Sequence, residues 1–185
     1  MTSTKSSTET IVLGGGCFWC LETVYRQVEG VTSVISGYAG GHVANPDYWT
    51  VASKASGHAE VVQVTFEPKV ISLGDILEIF WAMHDPTSLD QQGYDKGPEY
   101  RSIILYDGDD QKSGVEASVK AAQKLFDKPI VTEVKPLDKF YEAEAEHQNF
   151  YESGQRPDYC QVVINPKLAK LRQKFAARLK AKEAS

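Results

Sequence analysis

The hydrophobic pattern along the chain switches between a period near two and a period near 3.6. Residues 11–13 (Ile-Val-Leu) form a short apolar run that ends at three glycines, which predicts a buried strand followed by a sharp turn. From Cys17 to Val28 the apolar positions Phe18, Leu21, Val24, Tyr25 and Val28 recur at helical spacing, and Gly30 ends the segment. Residues 31–38 read as a strand, and Gly40-Gly41 opens a long loop through Asn45-Pro46. The clearest alternation runs from His58 to Phe66. It puts His58, Glu60, Val62, Val64 and Phe66 on one face and Ala59, Val61, Gln63 and Thr65 on the other.

Ser72 with Asp75 three residues on has the form of a capping box. The helix it starts carries Leu73, Ile76, Leu77 and Phe80 and stops before Pro86. Residues 85–99 read as loop, 101–106 as a strand, Val115 to Phe126 as helix and 130–134 as a further strand. Tyr141 to Tyr151 reads as a short acidic helix, Ser153 to Tyr159 as loop and 161–164 as a short strand. Pro166 suits the first turn of a last helix with the stripe Leu168, Leu171, Phe175 and Leu179. The Lys and Arg residues elsewhere on that helix read as a solvated face. Mixed strands and helices without a linker or repeat imply one α/β or α+β domain. It is expected over residues 10–181, between disordered tails at 1–9 and 182–185.

Composition narrows the function. With 185 residues, 42% hydrophobic, 24% charged and a net charge of −5, the chain resembles a soluble globular protein, and binding to nucleic acid or an anionic membrane is not expected. No apolar run approaches the roughly 20 residues of a membrane span. The first ten residues are polar and carry no signal-peptide core. Three cysteines are too few and odd in number for a secreted disulfide framework. Reduced thiols in a cytoplasmic setting are therefore expected.

The thiols are the candidate chemistry. Cys17 follows Gly14-Gly15-Gly16 at a predicted helix start, where unpaired N–H groups and the helix dipole favour a thiolate. That makes it a candidate nucleophile, against the alternative of a structural cysteine in a turn. Cys20 lies three residues on, and a Cys-x-x-Cys pair can close a disulfide. Cys160 lies in a loop with Gly154 and Pro157, with a spare surface thiol as the alternative reading. Glu60 either shares an apolar strand face, where desolvation raises its pKa and makes it a general acid, or sits at a wet strand end. Phe18 and Trp19 could line an apolar slot or be plain core. Tyr48 and Tyr100, on predicted loops, could bind a polar oxygen or pack at the surface. Two rival constellations use the same thiols: a thioredoxin-like disulfide exchanger on Cys17 and Cys20, and a zinc module on Cys17, Cys20, Cys160 and His147. His42, His58 and His84 read as ordinary loop or strand-end histidines.

An ordered set of segments, spanning about residues 11 to 167, gives the chain a resemblance to the A-type peptide-methionine sulfoxide reductases. They are Gly16-Cys17-Phe18-Trp19, residues 37–41 (Gly-Tyr-Ala-Gly-Gly), Asn45-Pro46-Asp47-Tyr48, Gly57-His58-Ala59-Glu60, His84-Asp85-Pro86, residues 92–95 (Gln-Gly-Tyr-Asp) with Tyr100-Arg101-Ser102, and Glu146-His147-Gln148. The resemblance implies that Cys17 attacks the sulfoxide sulfur and Glu60 protonates its oxygen. It places Tyr48, Asp95 and Tyr100 around that oxygen and Phe18 and Trp19 around the methyl group, with Cys160 as resolving thiol. It also implies an α+β two-layer sandwich with a ferredoxin-like mixed sheet, action on the S epimer in proteins and as the free amino acid, and thioredoxin as reductant. The implied enzyme needs no metal or organic cofactor and is expected to be a monomer. Many family members carry Gly where this chain has Cys20. Cys20 is expected against the core, where burial raises a thiol's pKa, and Cys160 on an exposed loop, so Cys17–Cys160 is the expected main disulfide over Cys17–Cys20.

Overall fold

A computed structural model describes residues 8–181. The tails expected at 1–9 and 182–185 fall outside it, apart from Thr8 and Glu9, and Glu9 opens the first strand. The elements in order are β1 (Glu9–Gly14), α1 (Phe18–Arg26), β2 (Val31–Ala39), α2 (Tyr48–Ala52), β3 (Ala59–Phe66), α3 (Leu73–Met83), β4 (Gln91–Gln92), β5 (Asp95–Lys96), β6 (Ile103–Tyr106), α4 (Asp109–Gln123), β7 (Glu133–Pro136), β8 (Phe140–Glu142), α5 (Phe150–Ser153), α6 (Pro157–Tyr159) and α7 (Asn165–Phe175). A π-helical turn, Cys160–Ile164, joins α6 to α7.

The result is one mixed α+β domain. Its sheet runs β7-β6-β1-β3-β2-β8, antiparallel except for the parallel pair β6 and β7. The alternation read in β3 decides which side is core. Val62, Val64 and Phe66 join Leu21, Val24, Phe80, Ile104 and Leu171 in the main core, under α1, α3, α4 and α7. Ala59 and Val61 face the other way, into a small cluster with Val12, Ile103 and Leu105. Tyr25 at the heart of the core keeps its hydroxyl satisfied by donating to the Ile76 carbonyl at 2.8 Å, which ties α1 to α3. Among the described residues no helix is long and apolar enough to cross a membrane.

Several segments differ from the sequence reading. Residues 141–151 are not one acidic helix. Phe140 to Glu142 pair with Gly37 to Ala39 at the sheet edge, and the chain then bends through a short 3₁₀ turn into α5. Tertiary contacts override local propensity here. Gln148 bonds the backbone N–H and C=O of Ser36, and the buried Glu22 accepts from the Asn149 N–H, the Ser36 hydroxyl and Arg26. Asn149 takes a left-handed conformation (φ 51°), which a continuous helix does not allow. Residues 161–164 are helical rather than a strand, the strand read at 130–134 begins at Glu133, and Tyr48–Ala52 forms a short helix within the expected loop.

The capping box of α3 is as read: Ser72 Oγ accepts from the Asp75 N–H at 3.1 Å, and the Asp75 carboxylate accepts from the Ser72 N–H. Loss of an N-cap hydroxyl costs about 1 kcal/mol. Ser72→Ala is expected to lower the unfolding free energy by about that much, measured by urea denaturation, with turnover at room temperature unchanged.

Candidate active site

The site begins with the turn that delivers Cys17. Gly15 packs so closely on the His84 ring that a Cβ there would lie 2.9 Å from it, and Gly16 has φ +91°. A larger residue at either position would displace the turn. His84 is fixed in turn by Phe80 and Ser102, and the Gly16 N–H donates to the Tyr100 carbonyl at 3.2 Å. The chain then enters α1 with Cys17 as its N-cap residue.

Glu60, on β3, points at this helix start. It is 3% exposed, and its Oε1 accepts the Phe18 N–H at 3.1 Å. Burial pushes the carboxyl up to about 8, against the Phe18 N–H and helped by the charges of Asp95 and Glu99. Glu60 is therefore a neutral acid near pH 7, and the dry-face reading of its strand holds.

The thiols depart from expectation. Cys17 was expected to be acidic, but its pKa lies well above the ordinary value. Burial is the main cause, followed by a hydrogen bond to Cys20 and by Glu60. One helix-start N–H that could have served a thiolate is spent on Glu60. Cys20 was expected to be raised, yet it is lowered to about 7. The hydrogen bond from Cys17 does most of this, with help from Lys167 and Tyr159, and together they outweigh burial. Cys160 is not on an exposed loop. It is 8% exposed at the start of the π-helical turn, and burial raises its pKa. All three thiols are free.

A slot of about 210 Å³ opens above Cys17, bounded by Trp19, Tyr48, Glu60, Asp95 and Tyr100, with Arg156 and Tyr159 at its rim. Burial raises the pKa of Tyr48, Tyr100 and Asp95, so both phenols are neutral donors. Trp19 is clamped. Its ring stacks on Phe150 at 3.7 Å and 4°, and its Nε1–H donates to His147 Nδ1 at 3.2 Å. Phe18, expected in the methyl pocket, is fully buried against Tyr38 and His147 and does not line the slot; its backbone N–H is what reaches the site. Tyr159 was missed by the sequence reading. Its hydroxyl donates to Asp95 at 3.1 Å and lies 3.7 Å from Cys20 Sγ. The only signal for it was its place beside Cys160.

The zinc constellation does not assemble. His147 Nδ1 is taken by Trp19, and the metal-type cluster among the described residues is Glu144, Glu146 and His147, without a cysteine.

A neutral carboxyl and two neutral phenols converging on a buried dithiol make this the site of a thiol-dependent oxidoreductase. The comparisons agree and go further. A family model described as "Peptide methionine sulfoxide reductase" matches residues 9–179, so the chain belongs to the peptide methionine sulfoxide reductase family. A protein of Paenarthrobacter aurescens (strain TC1) named peptide methionine sulfoxide reductase MsrA is 54% identical over 173 residues, which covers 94% of this chain and 99% of that protein. Among solved structures, Mxr1 from Saccharomyces cerevisiae in reduced form is similar with a TM-score of 0.77 and 31% identity, over 82% of this chain and 88% of that one. Mxr1 in complex with Trx2 is similar at TM-score 0.58 and 26% identity, over 81% of this chain and 89% of that one.

Glu60 also carries a stability signature. Unfolding returns its pKa from about 8 to its ordinary 4.5. A raised folded value contributes stability below the unfolded pKa, and this is lost as pH rises through the folded one. Glu60→Gln is expected to melt higher than wild type at pH 8, with the gap closing towards pH 4, in thermal unfolding scans across that range.

Proposed function

We propose that this enzyme reduces methionine sulfoxide to methionine with Cys17 as nucleophile and Glu60 as proton donor. The observation that carries the reading is the meeting of the Cys17 thiol and the neutral Glu60 carboxyl at one small slot. A sulfoxide oxygen placed between Glu60, Tyr48 and Tyr100 receives three hydrogen-bond donors, which draw electron density from sulfur. The S-methyl group then lies against the Trp19 ring. Cys17 Sγ forms a bond to the substrate sulfur and passes its proton to Cys20, the more acidic thiol already hydrogen-bonded to it. Glu60 protonates the oxygen, so that it departs from sulfur as a hydroxyl group rather than as oxide. That oxygen, as hydroxide, then bonds to Cys17 Sγ while the bond from Cys17 to the substrate sulfur breaks with its electron pair going to methionine. Methionine leaves, and Cys17 ends as the sulfenic acid.

Resolution follows as Cys20 gives up to the leaving oxygen the proton it took and its sulfur attacks Cys17 Sγ, releasing water and closing a Cys17–Cys20 disulfide. This reverses the order expected from sequence, which gave Cys160 the first attack. That order rested on an exposure Cys160 does not have, while Cys20 stands beside Cys17 at the start of α1 and has its pKa lowered by that neighbour. Cys160 remains available as a second acceptor near Cys20, whose charge it feels. Thioredoxin is proposed as the protein reductant, supported by the complex of the yeast relative with Trx2. Action on the S epimer, in proteins and as the free amino acid, is carried over from the family membership. A cytoplasmic setting suits three free thiols. We read the four strands β6-β1-β3-β2 as the ferredoxin-like core of a two-layer sandwich, supported by their antiparallel order and by α1 and α3 as crossovers. A plain disulfide exchanger on Cys17 and Cys20 would leave Glu60, Tyr48 and Tyr100 idle, although all three meet Cys17 at the slot.

Two outcomes are expected from single-turnover assays with a methionine sulfoxide peptide. Cys17→Ser releases no methionine, and Glu60→Gln slows the first turnover by about 10²–10⁴-fold at pH 7; a full burst from either variant contradicts the assignment. In separate experiments with thioredoxin, Cys20→Ser is expected to stall after one turnover with a Cys17 sulfenic acid that dimedone traps. Cys160→Ser should form the Cys17–Cys20 disulfide at the wild-type rate. A stalled sulfenic acid in Cys160→Ser alone gives the resolving role back to Cys160.

A further inference from the structure

A second cavity, of about 850 Å³, opens onto the same cysteine pair. It lies between the end of α3, the β4–β5 hairpin and the start of α7. Cys17, Asp95 and Tyr159 line both spaces and so form the wall between them, whereas Cys20 and Lys167 belong to the large cavity alone. Its floor is apolar, with Ala82, Met83, Phe126 and Val163. Its charge is uneven. The acids at its edge are already engaged, Asp95 by Tyr159 and Asp85 by Thr87. Lys167 and Lys170 have no ion-pair partner among the described residues. Partial burial first, and then the neighbouring charges of Lys174 and Lys167, lower the Lys170 pKa. An unpaired cation cluster beside an apolar floor and a sulfur suits a ligand with carboxylates, a short stem and a thiol.

We propose that this cavity is a second binding site, taking a low-molecular-weight thiol that carries carboxylates, and that such a thiol recharges the oxidised enzyme by attacking Cys20. The carboxylates sit on Lys167 and Lys170, and the thiol reaches Cys20 Sγ from the side away from the substrate slot. The incoming thiolate forms a bond to Cys20 Sγ, the Cys17–Cys20 bond breaks, and Cys17 leaves as a thiolate that takes a proton from solvent. A second molecule of the thiol, again as thiolate, attacks the ligand sulfur of the mixed disulfide. It releases the oxidised ligand disulfide and the Cys20 thiolate. Two thiols are oxidised and one protein disulfide is reduced. The site separates the two half-reactions in space: oxidant enters above Cys17 and reductant behind Cys20. This inference rests on the Cys17–Cys20 disulfide proposed above.

The test uses the full-length enzyme oxidised by one equivalent of substrate. Peptide mapping first identifies the disulfide. Reduction is then followed with glutathione, with neutral 2-mercaptoethanol and with cationic cysteamine, in wild type, Lys170→Glu and Lys170→Gln. Comparing each variant with wild type for the same thiol removes differences in intrinsic thiol reactivity. Lys170→Glu is expected to slow glutathione about fivefold, the scale of an exposed charge pair, with Lys170→Gln in between. 2-Mercaptoethanol should be unchanged and cysteamine unchanged or faster, and the glutathione effect should shrink in high salt. Quenching with an alkylating agent should capture glutathione on Cys20. If the mapped disulfide is Cys17–Cys160, the underlying resolution scheme fails. If it is Cys17–Cys20 but glutathione is as insensitive to Lys170 as 2-mercaptoethanol, or is captured on another cysteine, the cavity assignment fails while the scheme stands.

Discussion

The hydrogen bond from the Phe18 N–H to Glu60 joins the middle of the sheet to the first turn of α1, and the chemistry of the site follows from it. A carboxyl buried at 3% exposure needs a partner, and the nearest one is the helix-start amide that a neighbouring thiolate would otherwise use. One amide cannot serve both. Giving it to Glu60 fixes the acid in place, and desolvation still keeps that acid protonated near pH 7. The Cys17 thiol is left without that amide and, chiefly through its burial, has its pKa held well above the ordinary value.

Much of this frame can be read in the sequence because the determinants are local. The alternation of β3, the capping box at Ser72 and the glycines before Cys17 each act within a few residues, and each behaves as read. What escapes is set by distant partners. Residues 141–151 carry a helical composition, but Gly37–Ala39 recruits 140–142 as a strand and Glu22 holds Asn149 in a left-handed turn. The burial of Cys160 depends on a π-helical turn with no local marker. The acidity of Cys20 depends on Cys17, Tyr159 and Lys167, the last two nearly the whole chain away. Phe18 failed as a pocket residue for a related reason: facing inward at a helix start puts a ring in the core, and only the next residue, Trp19, comes round to the slot.

The 143–150 segment shows how a site residue is made rigid without being buried. Trp19 has Phe150 flat against one face and His147 on its N–H, and both partners belong to a stretch anchored by Gln148 on β2 and by Glu22 on α1. Glu22 is three residues after Trp19 on the same helix, so the helix that carries the ring also carries the tether for the ring's support. A displacement of one moves the other with it, and the apolar wall of the slot keeps its shape.

The position of Cys20 has a consequence for the enzyme's own survival. A sulfenic acid exposed to peroxide can be oxidised further to sulfinic acid, which thiols do not restore. In the resolution proposed above the competing internal reaction is unimolecular, with the Cys20 thiol only three residues from Cys17 at the start of α1. Closure therefore outruns any dilute oxidant in the surrounding solution, because the internal thiol does not have to diffuse to its target. The proposed order of the two thiols thereby keeps the sulfur chemistry of the site on the reversible rungs of the oxidation ladder.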